Sequence, residues 1–81
     1  MEYLVVYFDE DRGVIVNDAP GDWMTNQPFM LQAGSYTIEL APPLNYKPPS
    51  IPITLINTTE LQPCEIRFTR NPLSSRRRAT S

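Results

Sequence analysis

The chain has 81 residues, nine prolines, one cysteine, no histidine and a formal net charge of -2. Its length allows a single domain with a small core. The missing histidines exclude Ser-His-Asp and Cys-His catalysis within the chain, and a lone Cys64 excludes an internal disulfide or a four-ligand Cys/His zinc site. Proline in a helix interior costs about 3 kcal/mol. Any helix would therefore have to fit the windows 1–19, 29–41 or 53–62, and none of these holds a sustained helical period.

In chain order, Tyr3 to Phe8 reads as the first strand. Asp9 to Arg12 with Gly13 reads as a polar hairpin loop, and Val14 to Val16 as the second strand. Asn17 to Asn26, with Pro20 and Gly21, reads as a long loop. Phe29 to Leu31 is a third strand, and Ala33-Gly34-Ser35 a tight turn in which Gly34 is free to take positive φ. Tyr36 to Leu40 is a fourth strand, with Tyr36, Ile38 and Leu40 on one face. Pro42 to Pro52 is a stiff, extended crossover. Ile53 to Ile56 continues a face of Ile51, Ile53 and Leu55, and Asn57 to Glu60 is a turn. Cys64 to Thr69 is the last strand, with Cys64, Ile66 and Phe68 inward and Glu65, Arg67 and Thr69 outward. The expected fold is all-β, a small antiparallel β-sandwich of about six or seven strands, immunoglobulin-like, spanning residues 1–70. Residues 71–81 lack periodicity and apolar content and read as a disordered tail.

A family resemblance runs through residues 14–50. Thr25-Asn26 is followed by Phe29 and Leu31, then by Ala33-Gly34-Ser35-Tyr36-Thr37-Ile38, then by Asn45-Tyr46-Lys47-Pro48. This order resembles the PEGA domain, in which a Gly-x-Thr-Pro segment precedes a tight turn around glycine, an alternating strand and a Gly-Tyr-x-Pro stretch. The chain departs from that pattern at Asn26, where proline is usual. Trp23-Met24 stands where a glycine would precede Thr25, and Asn45 where a glycine would precede Tyr46. The resemblance implies a small sandwich that serves bacterial, often envelope-associated, proteins as a binding or spacer module. It implies no catalytic residue and no cofactor.

Charge is unevenly placed. Residues 1–40 carry seven acids against Arg12 alone, whereas residues 41–81 carry two acids against six bases, three of them Arg76 to Arg78. An acidic body argues against nucleic acid as a partner. The cluster Asp9-Glu10-Asp11 lacks calcium-loop spacing, because the sixth position, which needs glycine, is Val14. It reads as a solvated loop that discourages edge pairing. The longest uncharged apolar run has six residues, too few for a transmembrane segment, and no signal peptide opens the chain. A cytoplasmic location follows if the chain is whole; an envelope or secreted one follows if it is an excised domain.

Two sets of residues are interface candidates. Tyr3, Val5 and Tyr7 make the first strand apolar on its second face too, which one-sided burial would not require. Trp23 and Tyr46 are aromatics in irregular segments, suited to stacking on a sugar or anchoring a protein, with Trp23 as a lid over the core the alternative. The expected function is a non-catalytic protein-interaction module whose partner is another protein or a second copy of the chain. A carbohydrate- or cell-wall-binding module and a ligand-free spacer are the alternatives. Asn57-Thr58-Thr59 matches a glycosylation sequon, a motif short enough to arise by chance.

Overall fold

The run Tyr3–Phe8 is β-branched and aromatic with no proline, and it forms the centre of a sheet. The computed structural model describes residues 1–71. The expected tail beyond Asn71 lies outside the described residues. The described residues form nine strands: β1 (Glu2–Tyr7), β2 (Gly13–Val16), β3 (Ala19–Met24), β4 (Pro28–Leu31), β5 (Gly34–Leu40), β6 (Tyr46–Lys47), β7 (Ile51–Leu55), β8 (Cys64–Arg67) and β9 (Thr69–Arg70). They make a three-stranded sheet, β4-β1-β8, a four-stranded sheet, β3-β2-β5-β7, and a two-stranded pair, β6-β9.

The two larger sheets face each other across one core. Leu4 and Val6 of β1 and Leu31 of β4 meet Val14 and Val16 of β2, Ile38 and Leu40 of β5, and Leu55 of β7. Phe8, Tyr46 and Phe68 close one end, with Tyr46 edge-on to both rings at 6.2 and 5.3 Å between centroids. Alternation places these residues correctly: Ile38 and Leu40 are buried while Thr37 is exposed, and Phe68 is buried beside exposed Arg67 and Thr69. The all-β sandwich expected from the sequence is the fold.

Four details differ from the expected arrangement. First, β1 and β2 do not form a hairpin. They lie in different sheets, and Asp9–Arg12 is the connection between layers. Second, β1 pairs antiparallel with β4 but parallel with β8, Leu4 opposite Cys64 and Tyr7 opposite Arg67, so the sandwich is not purely antiparallel. A parallel pair needs a long crossover, and here almost the whole chain supplies it. Third, the expected loop 17–26 contains β3. Asn17 and Asp18 both take positive φ, 52° and 64°, the requirement for a two-residue hairpin turn of type I′ between the paired Val16 and Ala19. Fourth, the proline-rich crossover contains β6, and the last expected strand splits at Phe68, where β8 leaves β1 and β9 takes up β6.

One hydroxyl ties the crossover to the end of β5. On β5, residues 37 and 41 exchange backbone bonds with the β2 side: Asn17 N donates to Thr37 O and Ala41 N to Gly13 O. The even-numbered residues of β5 therefore point toward β7. β7 begins at Ile51, opposite Ile38, so Leu40 has no strand partner on that side. Continuing the register would place Pro49 there, and proline has no N–H. Tyr46 Oη fills the gap, donating to Leu40 O at 2.8 Å and accepting from Leu40 N at 3.2 Å. This is the device called a tyrosine corner in Greek-key sandwiches.

Candidate interaction surface

A sandwich strand that packs on one side should carry polar residues on the other. The β3-β2-β5-β7 sheet obeys. Its outer face carries Ser35, Thr37 and Glu39 of β5 and Thr54 of β7, with half-buried Ile15 of β2 and exposed Pro52 of β7 among them, and the Ser35 and Thr54 hydroxyls meet at 3.3 Å. The β4-β1-β8 sheet does not. Tyr3 stands opposite Met30, and Val5 opposite Pro28, on a face that continues through Tyr7. Met30 is 49% exposed and Pro28 is exposed, while Tyr3 and Tyr7 are half-buried. Tyr3, Pro28, Phe29, Met30 and Glu60 surround a shallow depression of about 160 Å³.

Val5 itself is buried, at 6% exposure. It is the floor of this face and not a contact residue, which corrects its place among the candidates. The two tyrosines differ in setting. The Tyr3 end is braced by Thr58, whose hydroxyl accepts from Tyr3 N at 2.7 Å and donates to Glu2 Oε1 at 2.6 Å. Those hydrogen bonds hold the Glu2 carboxyl below its ordinary range. Tyr7 lies under the Arg67 guanidinium, 4.9 Å from the ring centre, and donates to Glu65 Oε2 at 3.2 Å. Desolvation, then the Glu65 charge, pushes its phenol up. Met30, Pro28, Glu65 and Arg67 belong to this face and were not singled out from the sequence. Reading β4 and β8 as neighbours of β1 would have been needed to find them.

Trp23 is half-buried. It packs on the core against Phe29, 6.1 Å between ring centroids, and lies over Gly21. A Cβ at Gly21 would come within 2.6 Å of the indole, so the glycine is what lets the ring lie flat along β3. Trp23 is therefore placed as the lid over one end of the core. Tyr46 is buried at 6% exposure with its hydroxyl occupied by Leu40. It has no face to offer a sugar, which removes it from the contact candidates. The structure does not bring Trp23 and Tyr46 together with Tyr3 and Tyr7 into one site.

The acidic connection is exposed, as expected, but it is fastened to the body by arginines. Arg70 donates from Nε to Asp9 Oδ2 at 2.7 Å and from Nη2 to Asp9 Oδ1 at 2.8 Å, and its Nη2 lies 3.1 Å from Glu10 Oε1. Arg12 is buried. It donates to Pro43 O at 2.9 Å, to Asn45 Oδ1 at 2.7 Å and to the Glu10 carboxylate, and it covers the Phe8 ring at 4.9 Å. The Thr25-Asn26 pair, in the turn that follows β3, clamps the same segment. Thr25 Oγ1, also buried, accepts from Arg12 N at 2.8 Å and donates to Glu10 O at 2.9 Å, and Asn26 Oδ1 accepts from Phe8 N at 3.1 Å. Arg70 and Arg12 accordingly hold the Asp9 and Glu10 carboxyls below their ordinary range. The signal for Arg12 was its isolation, a single base among seven acids.

Among the described residues no group of three or more Cys, Asp or Glu side chains is placed to hold a metal ion, and no helix is long and apolar enough to cross a membrane. Cys64 is half-buried, and desolvation raises its thiol pKa, away from the reactive thiolate. Comparison with protein-family models, curated proteins and solved structures finds no match.

Proposed function

We propose that the chain is a non-catalytic protein-interaction module, PEGA-like in character, which binds a protein through the outer face of the β4-β1-β8 sheet. The carrying observation is the contrast between the two outer faces. One is mainly Ser, Thr and Glu, with Ile15 and Pro52 among them; the other lines up Tyr3, Met30 and Pro28 over a buried Val5. Exposed apolar strips of this kind, with aromatic and Met side chains, mark contact surfaces. The non-catalytic part rests on the missing histidines and on Asp9 and Glu10 being tied to arginines. The carbohydrate reading has lost Tyr46 to the core.

The test is site-specific photocrosslinking in the producing cells. A benzophenone side chain at Met30 is expected to yield discrete protein adducts. The same probe at Thr54, on the polar face, is expected to yield none. Equal labelling from both positions, or none from Met30, would refute the reading and leave the spacer alternative.

A further inference from the structure

Among the described residues, the two larger sheets have four open strand edges: β3 and β7 in one, β4 and β8 in the other. Each edge strand turns alternate N–H groups outward, where another strand can take them. On β7, residues 51, 53 and 55 face β5, so 52 and 54 face out, and residue 52 is Pro52. On β4, Leu31 and Phe29 pair with Glu2 and Leu4, which leaves Met30 and Pro28 facing out. On β3, Pro20 stands opposite Ile15, whose own backbone is directed at β5, so Pro20 faces out. Three edges thus have a proline where a donor would project, the usual defence against strand addition.

The β8 edge has none. Phe68 N donates to Tyr7 O at 2.9 Å, so even-numbered residues of this strand face β1 and Glu65 and Arg67 face outward. Both are exposed, and Cys64 and Ile66 on the core side remain half-exposed at the open edge. The opening is short. It is closed beyond Arg67 by β6, which pairs with Thr69 and Arg70, and before Cys64 by Pro63.

We infer that two copies of the chain pair antiparallel along this edge, β8 against β8, with a two-fold axis at Ile66. The register follows from the residues. A two-fold at Ile66 sets Glu65 opposite Arg67 of the second copy, and Arg67 opposite its Glu65. These are the positions whose N–H and C=O groups face out, so the two charge pairs coincide with the hydrogen-bonded pairs. The two half-exposed Ile66 side chains meet on the core side, and the sheets join as one six-stranded sheet. Any other register of a four-residue strand loses one or both charge pairs. The occupant is a second copy because the edge is self-complementary, the condition for an isologous contact. This inference deepens the interaction reading and rests on it, but it uses the free β8 edge of that sheet and not the Met30 end on β4, so the two fail separately.

The test is the dimer equilibrium of the purified full chain by sedimentation across concentration, with circular dichroism confirming the fold of each variant. Glu65→Arg or Arg67→Glu alone places like charges opposite each other at two positions. Each is expected to weaken dimerisation by roughly tenfold or more. The double variant, and an equimolar mixture of the two single variants, are expected to regain it. Independently, Ile66→Cys in a Cys64→Ser background is expected to form an intermolecular disulfide, since non-hydrogen-bonded antiparallel partners sit about 4.5 Å apart between Cα atoms. Native Cys64 is expected not to form one, being opposite Phe68 of the second copy. A chain monomeric to about 1 mM, or a dimer indifferent to both charge reversals, overturns the inference. Either result leaves the Met30 crosslinking reading standing.

Discussion

Tyr46→Phe isolates a single hydroxyl. The ring stays, with its edge-on contacts to Phe8 and Phe68, so the packing term is nearly unchanged. What is lost is the pair of bonds to Leu40 N and Leu40 O, in a site where Leu40 is 1% and Tyr46 6% exposed. No other group replaces them, because β7 starts too late and Pro49 has no N–H to offer. Leaving a buried donor or acceptor unsatisfied costs about 1–3 kcal/mol. In a domain this size, 1 kcal/mol moves Tm by roughly 4–8 °C, so a fall of about 8–16 °C follows from the middle of that range. The assay is urea unfolding of wild type and variant with the slope m compared, so that a changed midpoint reads as stability. Tyr36→Phe is the control. Its hydroxyl donates to Gln32 O at 2.7 Å, but on the surface, where water takes over. A Tyr46→Phe cost no greater than that of Tyr36→Phe would refute the tyrosine-corner argument.

Thr25→Val keeps the side-chain shape and removes the hydroxyl between Arg12 N and Glu10 O; a loss of about 1–3 kcal/mol is expected by the same unfolding assay. The Asp9 and Glu10 carboxyls titrate lower in the folded chain than in the unfolded one, chiefly through hydrogen bonds from Arg70 and Arg12 respectively. Such groups contribute stability that is fully present above the unfolded carboxyl pKa, roughly pH 4, and is lost as pH falls through the folded value. Arg70→Gln is therefore expected to flatten the fall in urea midpoint below about pH 4 while leaving its slope at neutral pH alone; parallel curves for the two proteins would contradict the pairing.

The parts of the fold that were legible are those where local alternation decides. Ile38 and Leu40, Ile53 and Leu55, and Ile66 and Phe68 share faces because strand geometry gives them no choice. Strand pairing was not legible, because it depends on partners distant in sequence. Asp9 to Gly13 has the chemistry of a hairpin loop, yet its ends enter different sheets, held there by Thr25, Asn26 and Arg70. The β2–β3 hairpin was hidden because its turn is Asn17-Asp18, without the glycine that marks type I′ turns, and β3 itself carries Pro20 and Gly21. Of the candidate site, the Tyr3 and Tyr7 face was legible as an apolar strand with two apolar sides. Tyr46 was misplaced because an aromatic between prolines gives no local sign that its hydroxyl will complete a strand six residues upstream.

The two-sided character of β1 also bears on how the chain folds. Its β4 partner lies about 25 residues away, Leu4 opposite Phe29, but its β8 partner lies 60 residues away, Leu4 opposite Cys64. Contacts of that separation form late, because loop closure precedes their reward. Until β8 arrives, one edge of β1 stays open, and the uncharged run Tyr3–Phe8, without a proline of its own, is the segment most able to pair wrongly. Glu2 and Asp9 bracket that run and carry charge at both ends while it waits. In the folded chain both are engaged, Glu2 by Thr58 and Asp9 by Arg70, partners from the segments on either side of β8. The same arrival that closes the β1 edge therefore engages both bracketing carboxylates and moves the open edge outward by one strand, to Glu65 and Arg67.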